Sequence, residues 1–190
     1  MAQLKVRLKE IRRENADFRW FIPQRLLQQL MTRDTVQQAL RGSVKPYHLE
    51  EISERVVRNG IKVLAMLVLI DHTSHISCFI EKDQLHDLRI PFERKVLETI
   101  LQEPCAADFA ERQWEFTAPE YFRGTITRSL SERVVLPFAK DTRIDKGGFG
   151  TVFEIKIHEE HQDLEDCFRQ KVSVQCSRGL MNFLTHYSAR

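Results

Sequence analysis

Three of the seven glycines in this 190-residue chain fall within four consecutive positions, 147–150, which read Gly-Gly-Phe-Gly. Glycine has no Cβ, so the backbone N–H groups of such a turn can approach a phosphate chain closely. Stretches rich in β-branched and aromatic residues flank the cluster at 134–138 and 151–157. A tight hairpin turn requires glycine for steric reasons as well. The cluster therefore predicts either a phosphate-binding loop or a simple hairpin.

Two histidines follow the second of these stretches, His158 and His161, and they enclose two glutamates. The zinc-protease motif H-E-x-x-H spaces its histidines by four residues, whereas these two differ by three. Cys167 would add a third zinc ligand, but the acidic residues before it favour a solvated loop. The four cysteines form no C-x-x-C pair, and we expect them to stay reduced.

Composition excludes several classes of protein. The 29 Lys and Arg residues oppose 27 Asp and Glu residues along the chain, so no broad basic face for nucleic acid is expected. The first 20 residues lack the apolar core of a secretory signal. The apolar stretch 61–70 is too short for a membrane span, which needs about 20 residues. We expect an intracellular protein, cytoplasmic or nuclear, without a membrane partner.

Apolar residues recur at spacings of three and four through residues 1–130, which predicts a mainly helical region. The strongest pattern runs from Tyr47 to Ile70. At Gly60 the helix either continues with a kink or breaks into two, and we favour one helix. Lys62 is the one charged residue in its second half, which should therefore be the most buried part of the fold.

Shorter helical patterns accompany this segment. Pro23 fits the first turn of a helix, and Thr32 or Asp34 can cap the next one, which should stop at Gly42. Another short helix is expected around 76–80. A further helix should open near Pro91, with these residues facing inward: Val96, Leu97, Ile100 and Leu101. Five aromatic residues within 108–122 are typical of a packing seam, and a ligand-binding patch is the alternative.

The stretch 143–157 resembles the opening of a protein-kinase domain, where the pattern G-x-G-x-x-G-x-V covers the phosphates of ATP. Gly147 takes the second glycine of that pattern and Gly150 the third. Val152 takes the valine that packs on adenine in kinases. Asp145 replaces the first glycine, and its carboxylate would repel a nucleotide's phosphates unless it turned outward.

Segments before the loop add to the resemblance. They are similar to the helical N-terminal region that precedes the kinase domain in protein-kinase-like proteins of filamentous fungi. The resemblance covers roughly residues 20–157 and is carried outside the loop by 21–25, 62–70, 79–85, 112–116 and 135–138. It implies a serine/threonine-type kinase that uses ATP and magnesium. Gly147, Gly148, Phe149 and Gly150 would then cover the phosphates, and Val152 would touch adenine.

Lys171 is the candidate for the kinase lysine on the third strand, which holds the α- and β-phosphates. It lies 19 residues after Val152. The kinase pattern has an alanine two positions before this lysine, whereas Arg169 stands there in this chain. A bulky cation at that place would obstruct the adenine pocket. A surface lysine is the alternative, and it is the interpretation that we favour.

A working kinase also needs the catalytic aspartate of H-R-D and the magnesium-binding aspartate of D-F-G, and neither motif occurs here. Only 40 residues follow Gly150, whereas the rest of a kinase domain needs on the order of 200. We therefore expect an N-terminal kinase fragment that carries the nucleotide loop, lacks the catalytic lobe and is inactive alone. The alternative is a non-catalytic interaction or regulatory protein, whose helical region binds a protein partner.

These observations predict an α+β fold in three parts. Residues 1–130 form a mainly helical region, and 131–161 form a short antiparallel hairpin that begins a kinase-like N-lobe. We leave 162–190 unassigned, as a disordered or aberrant tail.

Overall fold

The computed structural model describes residues 2–81, 86–121, 127–147, 150–162, 171–177 and 180–186. Helices and antiparallel strands are both present, so the predicted α+β class is confirmed. The chain divides into two compact units. The first comprises Met1–Arg12 and Ile22–Thr117, and the second comprises Arg13–Phe21 and Ala118–Arg190. The units thus divide at Thr117, whereas the change of sequence pattern lies near residue 130.

The first unit is helical, and short 3₁₀ turns join several of its helices. Its α-helices are α1 (Ala2–Glu10), α2 (Gln24–Leu30), α3 (Arg33–Leu40), α4 (Leu49–Asn59), α5 (Ile61–Leu69), α6 (Ile76–Ile80), α7 (Arg94–Glu98) and α8 (Cys105–Arg112). In the described part of the chain, no helix is long and apolar enough to cross a membrane.

Helix α5 is the centre of this unit. Every residue from Val63 to Leu69 is buried, which confirms that the second half of the long apolar pattern is the most buried segment. A helix that is apolar on all sides must be surrounded by other elements, since no face of it can be left in water. The remaining helices supply that cover, with Leu8, Leu27, Leu40, Val56, Phe79, Leu97 and Phe109 among the buried residues of the same cluster.

The prediction of one helix from Tyr47 to Ile70 is wrong. Helix α4 ends at Asn59 and α5 begins at Ile61, with Gly60 between them at φ −134° and ψ 16°, outside helical geometry. A Cβ on Gly60 would lie 3.1 Å from Cδ1 of Ile80 and 3.3 Å from Cα of Val56, so a larger residue here would push its neighbours by a few tenths of an ångström. The break exposes the first backbone N–H groups of α5, which then need another acceptor.

Asp87 supplies that acceptor, although it lies in a distant 3₁₀ turn, Asp87–Arg89. The Lys62 N–H donates to its Oδ2 at 2.9 Å, and the Val63 N–H donates to its Oδ1 at 3.1 Å. Burial raises the pKa of Asp87 above its ordinary value of 3.8, while these N–H donors and the Lys62 charge act in the opposite direction.

Helices α2, α3 and α6 lie where the sequence predicts short helices. Helix α2 begins directly after Pro23, and the Thr32 hydroxyl, rather than Asp34, accepts from the Thr35 N–H at the start of α3. Helix α6 confirms the short helix expected at 76–80. Gly42 adopts a φ of 86° after the end of α3.

One inward assignment near α7 is wrong. Leu97 and Leu101 are buried, but Val96 is 38% exposed. Helix α7 spans only Arg94–Glu98, so it has fewer than two turns and covers the core with one narrow stripe. The aromatic stretch 108–122 contributes as a packing seam: Phe109 stacks on Phe79 with ring centroids 5.3 Å apart.

The second unit contains a two-stranded and a five-stranded sheet, both antiparallel. The small sheet pairs β1 (Arg13–Glu14) with β2 (Trp20–Phe21). The large sheet has the order β3-β7-β6-β5-β4, with β3 (Thr127–Ser131), β4 (Phe138–Gly147), β5 (Gly150–Ile157), β6 (Lys171–Ser177) and β7 (Leu180–His186). Strands β6 and β7 lie in the range that the sequence left unassigned.

The prediction of a strand at 134–138 is wrong, except that its last residue, Phe138, lies in a strand. Strand β4 begins at Phe138, and the preceding residues are irregular. Pro137 cannot donate a hydrogen bond to a neighbouring strand. Two carbonyl oxygens of this stretch accept hydrogen bonds from side chains. Asn15 Nδ2 donates to Leu136 O at 3.0 Å, and the Arg19 guanidinium donates to Val134 O at 3.4 Å.

We predict that Asp87→Ala lowers the free energy of unfolding by about 1–3 kcal/mol, because two N–H groups of α5 lose their acceptor. Because the folded-state pKa of Asp87 is raised, the folded chain holds this proton to higher pH than the unfolded chain. The stabilisation by Asp87 is therefore largest below its ordinary pKa and falls as pH rises through the folded-state pKa. Urea unfolding at a series of pH values measures both effects.

The exposed carboxylate Asp34 provides the control, and Asp34→Ala should change stability by less than about 0.5 kcal/mol. A difference between wild type and Asp87→Ala that grows with rising pH would contradict the assigned direction of the pKa shift.

Candidate functional site

The glycine cluster lies at the end of an antiparallel hairpin formed by β4 and β5. Lys146 pairs with Thr151, and Gly147 pairs with Gly150 as the last pair before the turn. Gly148 and Phe149, which the kinase resemblance assigns to the tip of the loop, lie outside the described residues. The hairpin interpretation of this cluster therefore agrees with the backbone on both sides of the turn.

Strand β4 carries an irregularity just before the glycines. Arg143 pairs with Phe153 and Asp145 pairs with Val152, so Ile144 is an extra residue without a partner on β5. Such a bulge bends the strand and increases its twist. The glycine end of the hairpin is thus set at an angle to the rest of β4.

Strand β6 lies next to β5 and brings Lys171 near the hairpin. Lys171 pairs with Glu154, and Ser173 pairs with Val152. Residues two apart on a strand belong to the same face of the sheet, and directly paired residues share a face as well. The register therefore assigns Val152 and Lys171 to one face, on neighbouring strands. Arg169 and Cys167 lie outside the described residues.

The connection after β6 is very short. Ser177 pairs with Leu180, so only residues 178–179 separate β6 from β7. A connection of this length is shorter than one turn of an α-helix, which takes 3.6 residues. A kinase pairs its strand-three lysine with a glutamate on a helix. That glutamate cannot come from the connection between β6 and β7.

The two histidines after β5 pack against an aromatic ring. The rings of His158 and His161 meet the Phe21 ring edge to face, with centroids 5.2 Å and 5.0 Å away. His161 is buried, and its Nδ1 lies 3.0 Å from the Pro119 carbonyl oxygen. A carbonyl can only accept, so Nδ1 carries the proton. Among the described residues, no group of three or more His, Cys, Asp and Glu side chains is arranged to hold a metal ion.

An ion pair next to these histidines ties β1 to the segment after β5. Arg13 Nε donates to Glu160 Oε1 at 3.1 Å. Burial acts to raise the pKa of Glu160, but a backbone N–H, the Arg13 guanidinium and the nearby His158 together hold it below its ordinary value. The arrangement has a clear structural role in attaching the Arg13–Phe21 segment to its unit.

A second charged cluster lies in the first unit, and the sequence pattern did not predict it. Oε1 of Glu115 accepts from two arginines, from Arg12 Nη2 at 3.1 Å and from Arg112 Nη1 at 3.0 Å. Burial raises the pKa of Glu115, while both arginine charges act to lower it. The cluster borders a cleft of about 430 Å³ lined by Leu69, Ile70, Asp71, Asp108, Glu111, Arg112 and Glu115.

The pairing of Arg12 with Glu115 was not visible in the sequence because more than a hundred residues separate them. The i, i+3 spacing of Arg112 and Glu115 was the one local signal. Both contacts stabilise the fold, and the cleft holds no set of residues with a recognisable catalytic geometry.

We predict that Glu115→Ala lowers the free energy of unfolding by about 2–4 kcal/mol, because it leaves two partly buried arginines without their carboxylate. Glu98→Ala is the matched control. Glu98 pairs with Arg94 on an exposed surface of α7, and its loss should cost less than about 0.5 kcal/mol. Chemical denaturation of both variants at neutral pH tests the difference, and equal losses would contradict it.

No family model, curated protein or solved structure matches this chain.

Proposed function

We propose that the five-stranded sheet is a nucleotide-binding sheet of the protein-kinase type, and that its glycine hairpin covers the phosphates of ATP. The register of β4, β5 and β6 carries this proposal. It closes the hairpin with the pair Gly147 and Gly150 and assigns Val152 and Lys171 to one face of adjacent strands.

Each of these positions has a chemical reason to serve a nucleotide. Gly147 and Gly150 lack a Cβ, so phosphate oxygens can approach the N–H groups around the turn. Val152 offers an apolar surface for adenine. Lys171, on the same face one strand away, would supply the positive charge for the α- and β-phosphates. Magnesium would enter with the phosphates of ATP.

Two features limit this function. Asp145 adds a negative charge next to the site of the phosphates, which weakens binding by electrostatic repulsion. The 190 residues contain neither H-R-D nor D-F-G, so they lack the aspartates that accept the substrate proton and bind magnesium. We therefore propose that this chain binds ATP with a dissociation constant weaker than about 1 mM and does not transfer phosphate by itself.

A titration with Mg-ATP to about 10 mM, followed by NMR of the backbone amides, tests the nucleotide site in the full chain. We predict shifts confined to the hairpin and the adjacent part of β6. Gly147→Val should abolish the shifts, because its side chain excludes the phosphates. Ala139→Val adds the same side chain at the other end of β4 and should leave them unchanged.

Asp145→Gly restores the missing glycine and gives the sharper test. It removes the repulsion of about 1–2 kcal/mol that a nearby carboxylate exerts, so ATP affinity should rise about tenfold. Three results would overturn the proposal: no amide shifts in this variant, shifts elsewhere in the chain only, or phosphate transfer from labelled ATP by the wild-type chain.

A second candidate function is binding of a protein partner by the helical unit. The supporting observation is Leu88, which is 86% exposed although its neighbour Asp87 is bonded to the start of α5. A large exposed apolar side chain on a well-anchored turn offers apolar area that a protein partner can bury.

We predict that Leu88→Asp leaves the thermal unfolding midpoint within about 2 °C of wild type, because this side chain contacts mainly solvent. A photo-crosslinking residue placed at position 88 of the full chain should capture a defined protein, and Leu88→Asp should weaken that complex at least tenfold in a binding assay. If the complex formed equally well with both chains, Leu88 would not be part of the interface.

A further inference from the structure

Strand β4 is an edge strand with an open side. It pairs with β5 on one side, and in the part of the chain that the structure describes no strand pairs with its other side. The Ala16 N–H bonds the Phe138 carbonyl at the beginning of β4. Residues 139–143 beyond that point are all exposed. An open edge of this kind presents unpaired N–H and C=O groups that can bond another strand.

Two opposite charges lie next to each other on this edge. Asp141 and Arg143 are two residues apart and therefore belong to the same face of the sheet. Neither side chain forms a hydrogen bond or an ion pair within the described part of the chain. By contrast, Arg12, Arg33, Arg94 and Arg112 of the first unit each pair with a glutamate. Both charges are available to a partner strand.

Symmetry determines what a second copy of β4 would present. Two identical antiparallel strands that extend one sheet are related by a two-fold axis perpendicular to it, so residue i of one copy contacts residue j of the other and vice versa. An axis through Thr142 pairs Asp141 with Arg143 of the second copy, and Arg143 with Asp141 of the second copy. It also places the two Thr142 residues opposite each other, which is a favourable cross-strand pair.

The neighbouring registers are unfavourable. Rotation about a two-fold axis perpendicular to the sheet leaves each residue on its own face. The axis can therefore pass through different residues of β4, but it never pairs residues that lie on opposite faces. Moving the axis to residue 141 places Asp141 against itself, and moving it to residue 143 places Arg143 against itself. Like charges directly opposite each other are destabilising. Of these three registers, the charges favour the one centred on Thr142.

We propose that the outer edge of β4 binds β4 of a second copy of this chain, antiparallel and centred on Thr142. The complex joins two five-stranded sheets into one continuous sheet. Charged residues on edge strands can also serve the opposite purpose, by preventing such pairing. Pairing predicts a dimer in solution, whereas prevention of pairing predicts a monomer.

Sedimentation equilibrium of the full chain between about 10 µM and 1 mM tests the association. The expected result is a reversible monomer–dimer equilibrium that weakens as sodium chloride is raised, since exposed ion pairs are screened. A chain that remains monomeric over the whole range overturns the proposal and supports the protective role of the charges.

Charge reversal tests the register. In Asp141→Arg and in Arg143→Asp, both cross-strand pairs become repulsive, so each variant alone should dimerise at least about tenfold more weakly than wild type. Mixing the two variants restores both attractive pairs across the axis. The mixture should form a heterodimer with an affinity within about threefold of the wild-type dimer, which also shows that both variants are folded.

Lys140→Glu is the matched control, because it makes the same change of charge as Arg143→Asp on the opposite face of the strand. In the centred register its opposite residue is Ile144, so dimer affinity should change less than about threefold. Equal weakening by Lys140→Glu and Arg143→Asp, or a mixture of the two reversal variants that stays monomeric, would overturn the proposed pairing.

Discussion

The burial of α5 is the constraint on which the helical unit depends. A helix with seven consecutive buried residues offers no polar face to water, so every neighbouring element must cover a part of it. Such a helix also needs its free N–H groups satisfied inside the fold. Asp87 meets that need from a turn far along the chain, and the raised pKa of its carboxyl reflects the cost of placing a charge there. Gly60 separates α4 from α5 and lies close to Ile80, where a side chain of its own would be crowded.

In the second unit, both proposed binding regions lie on strand β4. One end of this strand forms the glycine hairpin on which the nucleotide proposal rests, and its outer edge carries the charges on which the proposed self-association rests. The bulge at Ile144 separates these two regions and increases the local twist of the strand between them.

Periodicity predicted the helical elements well where a long apolar pattern was present, because burial of one stripe is a local requirement of an amphipathic helix. It failed at Gly60, since a glycine within a pattern is compatible with either a kink or a break. The structure has the break, with Gly60 outside helical geometry between α4 and α5. The strand expected before Phe138 failed for a similar reason: Asn15 and Arg19, far away in sequence, take carbonyls that a neighbouring strand would otherwise use. The contacts of Glu115 with Arg12 had no sequence signal at all.

The sequence alone determined the α+β class, the most buried helix and the glycine hairpin, because each depends on the types and spacing of neighbouring residues. It also shows that neither H-R-D nor D-F-G occurs among these residues. Only the tertiary structure decided which strand lies beside which. The register that aligns Lys171 with Glu154, the two-residue connection after β6 and the open edge of β4 all arise from pairing between distant segments. Such pairing is selected by the packing of the whole sheet, and no local pattern encodes it.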